Sequence, residues 1–140
     1  MTVRLVPKTV AKIISPGTNL PFDYVCEEAI AQGAPVAKSE TTARIVEAQA
    51  SDIAHMPCFG IATEAGGVGD TIKVISIGVA RNVQRDEDFQ FDDAVFVSVN
   101  KGKLSKTATE SKGTFVQVVG RGINSSDITV SPDMTMVEIA

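Results

Sequence analysis

The sequence predicts an all-β fold, and three observations carry that prediction. Val, Ile and Thr are abundant while Leu is scarce and Trp absent, and β-branched side chains pack well on a pleated surface. Apolar residues recur in short alternating runs, with no long run at the 3.6-residue period of a helix. Turn signals built on 11 Gly and 6 Pro separate those runs. Short strands with turns every ~8–12 residues suggest a small barrel or sandwich.

The elements follow in order. Thr9 to Ile14 has the composition of a short strand inside an extended, proline-punctuated arm. Tyr24 to Ala31 reads as a strand, because the turn Gln32-Gly33-Ala34-Pro35 follows it. Pro35-Val36-Ala37 restarts an extended segment, and Ala43 to Ala48 is the next strand. Ser51 to His55 reads as a short helical turn, with Ser51 or Asp52 as N-cap. Phe59 to Thr63 is a strand, and Ala65 to Asp70 a loop. Thr71 to Ala80 carries the strongest strand signal, yet its alternation slips phase between Val74 and Ile75. The slip predicts a bulge or sharp bend, with Ile72 and Val74 on one side and Ile75 and Ile77 buried on another surface. Arg85 to Asp93 is an acidic loop. Ala94 to Val99 is a strand with Val95, Val97 and Val99 on one face; Asn100-Lys101-Gly102-Lys103 is a hairpin signal and Leu104 to Thr107 the return. Thr114 to Gly120, Ile128 to Val130 and Met136 to Ile139 complete the set.

An internal repeat underlies this order. Ala34-Pro35-Val36-Ala37 resembles Asp93-Ala94-Val95-Phe96, and both Val36 to Ile45 and Val95 to Leu104 span 9 positions. Gly60 and Gly120 each close an apolar strand, 24 and 25 residues after Val36 and Val95. An offset of about 59 is too long and too seldom repeated for a solenoid or propeller. It fits a duplicated hairpin-plus-strand unit.

At 140 residues, 44% apolar and 21% charged, the chain has the size and composition of one globular domain. Its net charge of −4 argues against a nucleic-acid partner, which calls for a basic face. No run approaches the ~18–20 apolar residues of a membrane helix, and the N-terminus lacks the apolar block of a signal peptide. Cys26 and Cys58 form no CxxC pair and read as two buried thiols.

Nothing in the sequence predicts an enzyme. His55 is the one histidine and has no companion at the spacing of a catalytic triad; no G-x-S-x-G elbow is present. Gly66-Gly67-Val68-Gly69-Asp70 superficially suggests a phosphate cradle, but it leads into a strand where a helix N-terminus would be needed. Asp86-Glu87-Asp88 and Asp92-Asp93 do not match a calcium loop. The expectation is no cofactor and no metal.

From Gly60 onward the pattern is a familiar one. Gly60-Ile61-Ala62, the loop ending Gly69-Asp70 and the run Ile72 to Ala80 form one half. Val95-Phe96-Val97-Ser98, Gly102-Lys103-Leu104-Ser105, Val116 to Gly120 and Pro132-Asp133-Met134 leading to Val137-Glu138-Ile139 form the other. Together with the turn Ile30 to Val36, these resemble the capsid decoration, or cement, proteins of tailed bacteriophages. The resemblance covers residues 24–140 and leaves residues 1–23 as an N-terminal arm. It implies a small β-tulip-like barrel with no catalytic residues. It also implies a role on the outer capsid surface, linking neighbouring capsomers through the major capsid protein, often as a homotrimer. Similar endings occur in phage fibre modules, so an appendage that binds a host-surface receptor or carbohydrate is the alternative.

The arm is the expected grip. Arg4, Lys8 and Lys12 precede the first acid, Asp23, so a basic start adjoins an acidic body. With Leu5, Val10, Ile13 and Ile14, these residues could add a strand to a capsid protein's sheet edge.

Overall fold

The computed structural model describes residues 21–140, which contain strands and a single 3-10 turn but no α-helix. The first sheet is built from β1 (Pro21–Val25), β2 (Pro35–Lys38), β3 (Ile45–Glu47), β4 (Cys58–Ala62) and β5 (Thr71–Ile75), in the order β1-β5-β4-β2-β3. The second contains β6 (Gly78–Ala80), β7 (Ala94–Val97), β8 (Leu104–Ser105), β10 (Val118–Gly122) and β11 (Ile128–Val130), in the order β6-β11-β10-β7-β8. A ribbon of β9 (Phe115–Val116) and β12 (Val137–Glu138) completes the fold. All the strand pairs are antiparallel.

The two large sheets are copies of one design. β2 pairs β3 as Ala37↔Val46 and Lys38↔Ile45; β7 pairs β8 as Phe96↔Ser105 and Val97↔Leu104. Val36 faces Gly60 and Val95 faces Gly120, and each ladder shifts register beside that pair. The loops repeat as well. Gly33 and Asp92 both have positive φ, 84° and 69°. Their amides donate to Ala62 O and Gly122 O, each at 2.8 Å. The carboxylate of Glu28 accepts from the Glu47 amide at 3.1 Å, and that of Glu87 from the Lys106 amide at 2.8 Å. Every one of these pairs lies 59 or 60 positions apart, so the duplication extends to individual hydrogen bonds.

The expected all-β class is present, but the expected barrel closure is not. Within each repeat a single parallel bridge brings the segment after the first strand to the far edge: Cys26 to Ile45, and Arg85 to Leu104. Strands of two to five residues are too short to sustain the staggered ladder that full closure demands. Three further expectations change. The strand expected over Tyr24 to Ala31 ends at Val25, because Cys26 to Ala31 turns back along β3 and the Glu47 carboxylate takes the Ala31 amide at 2.9 Å. The phase slip marks the point where the chain leaves one sheet for the other, between β5 and β6. Ile72 and Val74 are buried on one surface and Ile75 on another, as expected, but Ile77 is 43% exposed in the crossover. Val99, expected beside Val95 and Val97, lies past the end of β7 and is exposed.

Alternation separates two cores. In the first sheet Val36, Ile45, Ala62, Ile72 and Val74 point into a core that the Cys26 to Ala34 segment covers. Their neighbours Ala37, Val46, Cys58, Ile61 and Ile75 point the other way and join Val83, Val95, Val97, Leu104, Val119 and Ile128 of the second repeat. The outer face of the first sheet thus fills the mouth of the second. Burying each Val, Leu or Ile there contributes about 1.5–3 kcal/mol.

Candidate interaction surface

The residues proposed from sequence as the grip, Arg4, Leu5, Lys8, Val10, Lys12, Ile13 and Ile14, lie outside the described residues. The other motifs resolve into structural roles. His55 closes the 3-10 turn Ile53–His55, which Asp52 caps by accepting from the Ala54 amide at 3.0 Å. Its Nδ1 lies 2.8 Å from the Glu47 carbonyl oxygen, so that nitrogen carries the proton. The glycine loop is a turn: the Asp70 carboxylate accepts from the Gly67 amide at 2.8 Å, and the Asp70 amide donates to Gly67 O at 3.0 Å. In the acidic loop, Asp86 accepts from the Ser98 hydroxyl and from Asn100 Nδ2, Glu87 from the Ser105 hydroxyl at 2.9 Å, and Asp88 pairs with Arg85 at 3.1 Å. These carboxylates tie a long loop to the sheet. Among the described residues no group of three His, Cys, Asp or Glu side chains is placed to hold a metal ion.

Both cysteines are free and buried. Burial pushes the Cys58 thiol up to about 12, against the smaller opposing effects of the Gly60 and Val36 backbones. The folded protein therefore keeps this thiol neutral where the unfolded chain ionises it. Stability is expected to fall as pH rises from 9 toward 12. Cys58→Ala should flatten that part of the profile, as read by urea melts across the range.

The surface feature with the clearest chemistry is an apolar groove of about 350 Å³ lined by Tyr24, Lys38, Pro57, Phe59 and Met134. Tyr24 and Phe59 meet edge to face with ring centroids 5.0 Å apart. The Lys38 ammonium stands 5.1 Å from the Tyr24 ring and 5.5 Å from the Phe59 ring, within cation–π range. Met134 is 56% exposed, and Phe22, two residues before Tyr24 on the same face of β1, is 61% exposed. Phe91, in the acidic loop, is 80% exposed.

Sequence reading had not singled out this groove. The signal was available in the repeat: the offset places Tyr24 on Val83, Lys38 on Val97, Pro57 on Gln117 and Phe59 on Val119. All four residues of the second copy are buried. A mouth that is filled in one repeat is open and aromatic in the other.

No protein-family model matches the sequence, and no curated protein matches it. Among solved structures, the chain is similar to the crystal structure of the head fiber gp8.5 N base of bacteriophage phi29. That similarity has a TM-score of 0.55 at 14% identity and covers 86% of this chain and 99% of that one. At that identity the likeness establishes a shared fold, one that a phage head fiber base also adopts.

Proposed function

We propose that this chain is a structural protein of a tailed-phage virion, seated on the outer capsid surface, where it links neighbouring capsomers as a homotrimer. The observation that carries the reading is the fold shared with the phi29 head fiber base over nearly the whole of that chain, alongside the decoration-protein resemblance of the sequence. The architecture suits a passive binder, because the polar clusters described above are spent on turns and caps. A repeated modest interface on a capsid lattice gains by multivalency. The test is binding to expanded, undecorated capsids. Copy numbers in the hundreds per particle are expected, and no binding would sink the reading.

The same fold similarity favours a second reading, the base of a head fibre or other appendage that binds a host-surface receptor or carbohydrate. The exposed aromatic pair Tyr24 and Phe59 would then be its natural platform. Copy number decides: an appendage is present in a handful to tens of copies.

The basic segment supplies a third test. Deleting residues 2–14 is expected to leave the melting temperature nearly unchanged, since none of the described core is lost. Capsid occupancy should drop sharply, and the gap from the full chain should narrow at higher salt, because Arg4, Lys8 and Lys12 would act through screened attraction. Unchanged occupancy would move the grip to the body of the fold.

A further inference from the structure

The two repeats pack head to tail, so each leaves one half of their interface unused. Within the chain, the Gln32-Gly33 turn of the first repeat lies against Asn82-Val83-Gln84, the segment after β6 in the second. The Gln84 amide donates to Gly33 O at 2.9 Å, and Gln84 Nε2 donates to Gln32 O at 3.1 Å. An added Cβ on Gly33 would come within 3.1 Å of the Val83 Cα. Beside this contact, Gln117 at the mouth of the second repeat brackets the Cys58 peptide of the first.

The offset of 59 converts this internal contact into an external one. Gln32 and Gly33 correspond to Phe91 and Asp92. Asp92 keeps the positive φ of Gly33, so the turn has the same shape. Val83 and Gln84 correspond to Tyr24 and Val25, at the rim of the open groove. The equivalent turn is therefore exposed at Phe91, and the equivalent mouth is the open groove.

Their chemistry differs from the internal pair in matched ways. Where the internal turn carries Gln32, the outer one carries Phe91, the most exposed large apolar side chain among the described residues. Where the internal mouth is lined by Val83, Val97 and Val119, the open one offers Tyr24 and Phe59, with Lys38 above their rings. An exposed Phe beside Asp92 and Asp93 suits an aromatic groove with a cation at its rim.

The geometry points to a second copy of this chain as the occupant: the Phe91-Asp92 turn of one copy seats beside Tyr24 and Val25 of the next, at the rim of the Tyr24, Lys38, Pro57 and Phe59 groove, and Phe91 lies over that groove. Such a contact uses different surfaces on its two sides, so it builds a ring if the rotation closes. It deepens the homotrimer expectation above, yet it stands on the repeat geometry and is tested without capsids.

The experiment places a benzophenone amino acid at position 91 of the full chain, irradiates the purified protein and maps the adducts. Phe91 is solvent-exposed, so the replacement spares the core. The expected product is an intermolecular cross-link to the peptides carrying Phe22 to Val25 or Pro57 to Phe59. Phe91→Ser and Lys38→Glu should each weaken self-association in sedimentation equilibrium, the first by at least about tenfold from losing one buried aromatic side chain. A chain that remains monomeric at millimolar concentration overturns the inference. So does an adduct confined to residues 1–20 or to another surface, or a Phe91→Ser protein that associates like wild type. Decoration of capsids by a strictly monomeric chain would overturn this contact and the homotrimer, and spare the capsid-binding reading. Association through the groove without capsid binding would do the reverse.

Discussion

Gly120→Ala should abolish cooperative folding or lower the melting temperature by more than about 10 °C. A Cβ built at Gly120 would stand 1.8 Å from the Thr129 carbonyl oxygen and 2.9 Å from its carbon. Both are backbone atoms of β11, held in the ladder Gly120↔Val130, Arg121↔Thr129, Gly122↔Ile128. No side-chain rotation relieves that overlap. Either β11 moves, breaking its pairing with β6 on the other side, or β10 moves off β7 at its register shift. Overpacking ordinarily costs about 1–3 kcal/mol, and a collision with paired backbone belongs at or above the top of that range. For a chain of this size each kcal/mol moves the melting temperature by about 3–5 °C. The matching substitution, Gly60→Ala, meets Ile75 O at 2.6 Å and the movable Val74 Cγ1 at 2.6 Å, and should be milder. Gly113→Ala meets nothing within 4 Å but must adopt a φ of +83°, which costs about 1 kcal/mol. Thermal melts of the three variants should rank Gly120, Gly60, Gly113. A Gly120→Ala protein that melts like Gly113→Ala would show that the strand junction is softer than its hydrogen bonds imply.

Gly60 and Gly120 were visible in the sequence as matched glycines in two apolar strands, since a strand glycine marks close backbone approach, but each lies in the middle of its strand where the sequence placed it at the end. The duplication was legible because spacing within a hairpin survives in the chain order. The break at Ile75 was visible as a phase slip, but its meaning was not. A bulge and a jump between sheets leave the same local pattern, and the two are separated by where Gly78 to Ala80 finds its partner, β11, some fifty residues later. Ile77 was misplaced on that account. The groove was hidden because Tyr24, Lys38 and Phe59 come from three strands, and Phe59 scans as an ordinary core aromatic. Met134 arrives from the far end of the chain. Barrel closure was expected from the short strands with frequent turns as well as from the resemblance, yet the paired strands of each sheet form open rows.

Gln117 shows how much of the fold rests on one long-range polar contact. It interrupts what reads as a single strand from Thr114 to Gly120 and separates β9 from β10. Its side chain is 1% exposed. Oε1 accepts from the Cys58 amide at 2.7 Å, and Nε2 donates to the Cys58 carbonyl at 2.7 Å and to Asp133 O at 2.8 Å. The amide thus substitutes for a strand neighbour at Cys58, joins the two repeats and anchors the C-terminal segment. Gln117→Met is the informative variant because it nearly conserves volume and removes all three bonds. A buried polar group left unpaired costs about 1–3 kcal/mol, and here the Cys58 amide and carbonyl lose their partner together. The expected loss is about 3 kcal/mol, or roughly 10 °C in melting temperature. Gln117→Ala should lose somewhat more, through the cavity it adds. Hydrogen exchange should localise the damage, with the Cys58 amide losing protection before the rest of β4. If Gln117→Met instead melts like wild type, the apolar contacts of Ile61 and Ile75 with the second sheet, together with backbone bonds such as Ala50 N to Ser98 O and Gln84 N to Gly33 O, carry the interface without it.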